Sequence, residues 1–102
     1  MILIFATLNK KETAEKIGKE LLRKRVIACY NLLLVDSAYW WKGRIAQGKE
    51  VLMIFKTREE NFSKIENYLK KHSGYKNPEV VALEASKVST PYLDWVHSET
   101  KT

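Results

Sequence analysis

The sequence predicts an α+β protein, built as a four-stranded antiparallel sheet with two helices on one face and a further helix near the C-terminal end. Three observations predict it. Stretches rich in β-branched and aromatic residues alternate with two stretches of helical apolar spacing, in the order β-α-β-β-α-β. The chain has 102 residues and is 45% hydrophobic, which suits one domain over 1–102 with a packed core. No apolar run approaches the roughly 18 residues that a membrane-spanning helix needs.

The first strand is "ILIFATL" (2–8), apolar on both parities and β-rich. Asn9 is placed to cap the helical segment after it, with Glu12 three residues on as its capping-box partner. From 11 to 25, Ala14, Ile17, Gly18 and Leu21 recur at helical spacing. "VIACYNLLLVDSAYWW" (26–41) is the second strand. A connection holding Gly43 and Gly48 leads to the third, "KEVLMIFKT" (49–57). Phe62, Ile65, Leu69 and His72 mark a second helix, which the turn "SGYKNP" ends. "EVVALEA" (79–85) is the fourth strand. Ser89 or Thr90 caps a last helix, with Pro91 in its first turn and Leu93 and Val96 on its buried edge. This order matches the split βαβ, ferredoxin-like plan, with sheet order 4-1-3-2 and one sheet face left open.

The second strand breaks that plan's economy. Cys29, Asn31, Leu33, Val35, Ser37, Tyr39 and Trp41 share one parity; Tyr30, Leu32, Leu34, Asp36, Ala38 and Trp40 share the other. An antiparallel sheet with one wet face alternates apolar and polar residues, and this strand does not. Some 13 residues at about 3.3 Å each reach on the order of 40 Å, so its far end overhangs the domain. An overhanging apolar strand needs a partner. A closed homo-oligomer of extended strands supplies one, with Trp40, Trp41, Leu33 and Val35 in the interface.

Net charge is +6. Arg23, Lys24 and Arg25 close the first helix, Lys70 and Lys71 the second, and glutamates open both, a placement that complements the helix dipole. The single cysteine, Cys29, cannot pair within the chain, which suits a reducing, cytoplasmic compartment. The apolar N-terminus lacks a basic region before it and a small-residue cleavage site, so it reads as a strand rather than a signal peptide.

"ACYN" (28–31), "SAYWWKG" (37–43), "KEV…KT" (49–57) and "YKNPEVVALEASKVSTPYLDWV" (75–96) together resemble the CutA family, the divalent-cation tolerance proteins. The resemblance runs from the first strand to the last helix. It implies a ferredoxin-like homotrimer whose long strands pair across subunits, found in the cytoplasm, linked to tolerance of copper and other divalent ions, and similar in architecture to PII signalling proteins. Copper-binding members carry a cysteine near the end of the first strand and paired histidines before a Pro-Tyr. This chain has Ala6 there, and then Lys71-His72-Ser73-Gly74-Tyr75 with no proline. One of those ligands remains.

His72 is thus one candidate metal ligand. Cys29 is another, at a separate site, since the topology puts His72 and Ala6 at the top of the domain and Cys29 at the bottom; it reads first, though, as a small buried apolar residue. Lys56, inside an apolar strand, is either an anion contact or a structural lysine. Glu50 is a pocket carboxylate or a hairpin charge. With Tyr39, Trp41 and Tyr75, these form a candidate pocket for a small anionic ligand.

No paired nucleophile and base, glycine-rich phosphate loop or zinc spacing occurs, so the reading is non-enzymatic, with no required cofactor and a divalent metal such as copper as the possible ligand. Three functions compete: a trimeric, metal-binding protein of divalent-cation response; a PII-like sensor with pockets at subunit boundaries; and an RNA-binding domain. RNA recognition on this topology needs aromatic platforms on the third strand, where "KEVLMIFKT" offers neither the glycines nor the aromatic pair, so nucleic acid ranks last.

Overall fold

A computed structural model describes residues 1–101, so Thr102, the last residue of the predicted domain, lies outside the described residues. The elements are β1 (Ile2–Leu8), α1 (Lys11–Arg23), β2 (Cys29–Trp41), β3 (Arg44–Thr57), α2 (Phe62–His72), β4 (Val81–Glu84) and α3 (Thr90–Glu99). The sheet order is β2-β3-β1-β4 with every neighbouring pair antiparallel, the predicted order read from the other edge.

Burial alternates along β1, so the strand that is apolar on both parities still has a core side and an open side. Ile2, Ile4, Ala6 and Leu8 face the helices together with Val51, Met53 and Phe55 of β3, all nearly inaccessible to solvent. Ala14, Ile17 and Leu21 of α1 and Ile65 and Leu69 of α2 close the layer over them. Each such aliphatic or aromatic side chain stabilises the fold by about 1.5–3 kcal/mol when fully buried. Gly18 lets α1 lie flat on the sheet: a Cβ there would stand 2.6 Å from the Tyr30 ring.

The third strand is longer than predicted. It begins at Arg44, not 49, and Gly48 lies inside it opposite Ser37. The connection is only Lys42-Gly43, with φ of 50° and 77°. Two residues at positive φ make the tight turn whose twist matches paired strands. The predicted loop is therefore half of a hairpin.

The other corrections are smaller. β2 starts at Cys29, because Val26–Ala28 are buried but held by cross-connections rather than by a ladder. Arg25 adopts φ 63°, and the Val26 carbonyl accepts from Thr57 Oγ1 (2.6 Å) and Asn61 Nδ2 (2.9 Å). α1 ends at Arg23, and Lys10 rather than Asn9 occupies its N-cap, with no side-chain hydrogen bond. Ser89 caps α3 by position but likewise makes no capping bond. β4 spans only four residues. Val96 of α3 is fully buried. Beyond that helix, Lys101 N donates to Arg25 O at 2.8 Å and Arg25 Nη1 pairs with Glu99 at 2.6 Å, tying the tail to the end of α1.

Candidate functional site

The last residue of β1, Leu8, pairs with Val51. Everything between Val35 and Glu50 therefore runs past the first strand as a free two-stranded hairpin, and the molecule is 45 Å long against 26 and 21 Å in the other directions. Neither edge of this projection is paired among the described residues. Successive residues face opposite sides, so Trp40 and Trp41 point apart. Both stay in solvent, at 75% and 60% exposure, as does Leu34 at 78%. Leu33, Val35 and Trp41 share the open face of the sheet; Trp40 lies on the helix side but beyond the reach of the helices.

Where the hairpin leaves the sheet, its open face and the 75–79 loop enclose a cavity of about 570 Å³. Tyr39, Trp41 and Glu50 come from the hairpin, Tyr75 and Glu79 from the loop. The Tyr75 hydroxyl donates to Glu50 Oε2 at 2.9 Å, and Tyr75 N–H donates to Ser73 Oγ at 3.1 Å, which fixes the ring after α2 ends. Burial, then the bond to Glu50, pushes the Tyr75 hydroxyl up to about 12. It stays a donor throughout the physiological range. Lys42 Nζ stands 5.5 Å from the Trp41 ring centroid.

Four of the five residues grouped from the sequence thus meet in one place. Lys56 does not. It lies opposite Leu3 and Cys29, six residues down β3 from Glu50, or about 20 Å by strand rise. Its ammonium donates to Asn31 Oδ1 at 2.7 Å across the strand pair. Within one copy of the chain, Lys56 lies outside this cavity.

The two candidate metal ligands have different neighbours. Cys29 Sγ is 3.7 Å from the Tyr92 hydroxyl, which burial and this contact push up to about 12. His72 is exposed at the end of α2, stacked on Tyr68 with ring centroids 4.1 Å apart. It borders a shallow hollow with Lys24, Lys64 and Lys71. No group of three or more His, Cys, Asp or Glu side chains gathers around either residue, or elsewhere among the described residues. Ala6 is buried on the helix-covered face of β1.

Against this geometry, the model of the family described as "CutA1 divalent ion tolerance protein" matches residues 2–99. The chain belongs to the CutA1 family. It is 43% identical over 96 residues to the divalent-cation tolerance protein CutA of Thermotoga maritima, covering 94% of this chain and 95% of that one. It is 39% identical to the Pyrococcus horikoshii protein of the same name over 99% of both. The crystal structure of CutA1 from Pyrococcus horikoshii superposes with a TM-score of 0.95 over the whole of both chains, at 38% identity. A structure described as the PII-like protein CutA from Nostoc sp. PCC 7120 in apo form aligns at 0.92, with 28% identity over 99% of this chain and 98% of that one. The ferredoxin-like plan is therefore that of solved CutA structures.

On this CutA scaffold the sequence reading missed Thr7, Ser37, Asn77 and Glu79, which also line the cavity. Thr7 and Ser37 carried a signal, as polar residues on the open parity of apolar strands. Asn77 and Glu79 carried none, because a loop's spatial neighbours do not follow from its own spacing.

Proposed function

We propose that this chain works as a homotrimer in the cell's response to divalent cations, copper among them, and that it binds ligands without catalysing a reaction. The observation that carries the reading is the projecting hairpin. Its edges are unpaired and both of its faces are apolar, so an isolated copy would present Trp40, Trp41, Leu34 and Ile45 to water. Pairing of hairpins around a threefold axis covers all of them. The single free thiol supports a cytoplasmic setting.

Metal is held weakly in this reading. His72 is an imidazole among lysines, and Glu20 of α1 is already hydrogen-bonded to Arg23. One nitrogen and at most one carboxylate, with water for the rest, favour Cu²⁺ over Zn²⁺ only by the general order of affinities. A metal binds the neutral form of an imidazole, so protons compete for the same nitrogen. Titration of Cu²⁺ and Zn²⁺ into the wild type and His72→Ala tests it: weak binding should be lost in the variant. Tight stoichiometric copper binding that survives His72→Ala and vanishes in Cys29→Ser would move the metal to the Tyr92 end of the molecule.

A second reading has its own observation. The cavity beside Tyr75 has the volume of small-molecule sites, about 300–1,000 Å³. Small-ligand sensing there would couple a ligand to the hairpin that carries the assembly, and the likeness to a protein described as PII-like supports it. RNA binding has less in its favour, since the open-face positions of β3, among them Glu50, Leu52, Ile54 and Lys56, carry no aromatic ring.

A further inference from the structure

A second hollow, of about 380 Å³, opens between the C-terminal end of α1 and one face of α2. No residue of the projecting hairpin lines it, so covering the hairpin in an assembly takes nothing from it. Lys64, Tyr68, Lys71 and His72 recur at spacings of three and four residues and share that face of α2. Lys24, the C-cap of α1, reaches over them, with its Nζ 5.1 Å from the Tyr68 ring centroid. The helix dipole accounts for Lys71 and His72, in the last turn of α2. It does not account for Lys64, in the first turn, where a cation meets the positive end of the helix. The nearby carboxylates are engaged elsewhere. Glu66 pairs with Lys70 at 3.6 Å, and Glu20 accepts from Arg23 Nε at 3.2 Å with Lys24 at 4.0 Å. Among the described residues, neither Lys64 nor Lys71 has a salt-bridge partner.

We propose that this hollow binds an oligophosphate anion, a short chain of linked phosphates, across Lys24, Lys64 and Lys71. The inference stands apart from the cavity beside Tyr75. Each lysine offers a point charge with three rotatable donors, which suits phosphate oxygens. Lys64 and Lys71 are seven residues apart, or about 10.5 Å along the helix at 1.5 Å per residue. A chain of phosphates can lie along that row and meet both ammoniums, whereas a single phosphate draws them away from their own positions. The rings do not argue for a nucleotide. Tyr68 is already stacked on His72, with centroids 4.1 Å apart, and Lys24 stands near the same ring. A base would have to displace one of them, so the hollow offers charge rather than a stacking platform. The same ammoniums oppose a divalent cation at His72, which agrees with the weak metal binding proposed above.

The test is calorimetric titration of the intact, metal-free protein at low salt, where surface charge is least screened. Tripolyphosphate, orthophosphate and ATP are the probes. The expected result is saturable binding of tripolyphosphate, with orthophosphate about tenfold weaker or more and ATP no tighter than tripolyphosphate. Lys64→Gln combined with Lys71→Gln, both at exposed positions, should weaken tripolyphosphate about tenfold or more with unchanged melting. Lys16→Gln combined with Lys70→Gln removes the same charge from exposed positions outside the hollow and should change its affinity about twofold at most. Equal losses in the two double variants would overturn the proposal by making binding a matter of net charge. Tripolyphosphate binding unaffected by the Lys64 and Lys71 changes would overturn it by placing the anion elsewhere. ATP binding about tenfold tighter than tripolyphosphate would replace the oligophosphate with a nucleotide. No tripolyphosphate binding, by heat or by a shift in melting, would overturn it outright.

Discussion

The Tyr75 hydroxyl and Glu50 Oε2 are 2.9 Å apart although 25 residues separate them in the chain. One residue lies just past the last turn of α2 and the other sits on β3 where the hairpin leaves the sheet. Their bond ties the loop to the projecting hairpin, so it bears on both stability and ligand binding. Tyr75→Phe should cost about 1–2 kcal/mol, the range for a hydrogen bond to a charged acceptor that is only partly buried. Urea unfolding of wild type and variant would measure it.

The same tyrosine predicts an alkaline transition. Its folded pKa of about 12 lies above the ordinary value of 10.0, and Tyr92 behaves alike through burial and Cys29. A group whose folded pKa is raised contributes stability below its unfolded pKa and loses it as pH rises through the folded one. Stability should therefore fall between about pH 10 and 12. Absorbance at the tyrosinate band should show Tyr75 and Tyr92 among the tyrosines that ionise late, with one late step missing in Tyr75→Phe and one in Tyr92→Phe.

Trp41→Ala should break assembly rather than the fold of the single chain, because the ring is 60% exposed within one copy. If a neighbouring copy buries it, truncation costs on the order of 3–5 kcal/mol of association. Light scattering at micromolar concentration should show a trimer for the wild type and smaller species for Trp41→Ala. A folded wild-type monomer would refute the homotrimer.

Gly18→Ala should destabilise although alanine favours a helix. The propensity gain is about 1 kcal/mol. Against it, the new Cβ would stand 2.6 Å from the Tyr30 ring, and overpacking of this kind costs about 1–3 kcal/mol. Shortening the ring should relieve the clash, so Gly18→Ala combined with Tyr30→Leu should lose less than the two single changes added together. Thermal melts of all four proteins would give the coupling.

Lys56→Met should lower stability by less than about 1 kcal/mol, since it removes one exposed hydrogen bond to Asn31 and leaves no buried charge behind. It should change the affinity of any cavity ligand less than twofold. A large loss of binding would return Lys56 to the site.

Periodicity in the sequence was enough for the order of elements, the two helices, and an apolar second strand too long for one domain. These are local signals: side chains repeat every 2 or 3.6 residues wherever one face is buried. The same local logic misreads residues 44–48, "RIAQG", as a connection. They are a strand only because Trp41 to Ser37 lie opposite and supply the ladder, and a partner strand overrides weak propensity and a glycine. Asn9 has the right residue type for a cap but not the bond, because capping depends on the backbone angle at which β1 enters α1. The candidate site divides in the same way. Tyr39, Trp41 and Glu50 were legible because they lie on one pleated face of paired strands. That Tyr75 and Glu79 close over them while Lys56 stays outside was decided by the tertiary structure alone, since only the packing of α2 on the sheet fixes where its succeeding loop crosses the hairpin.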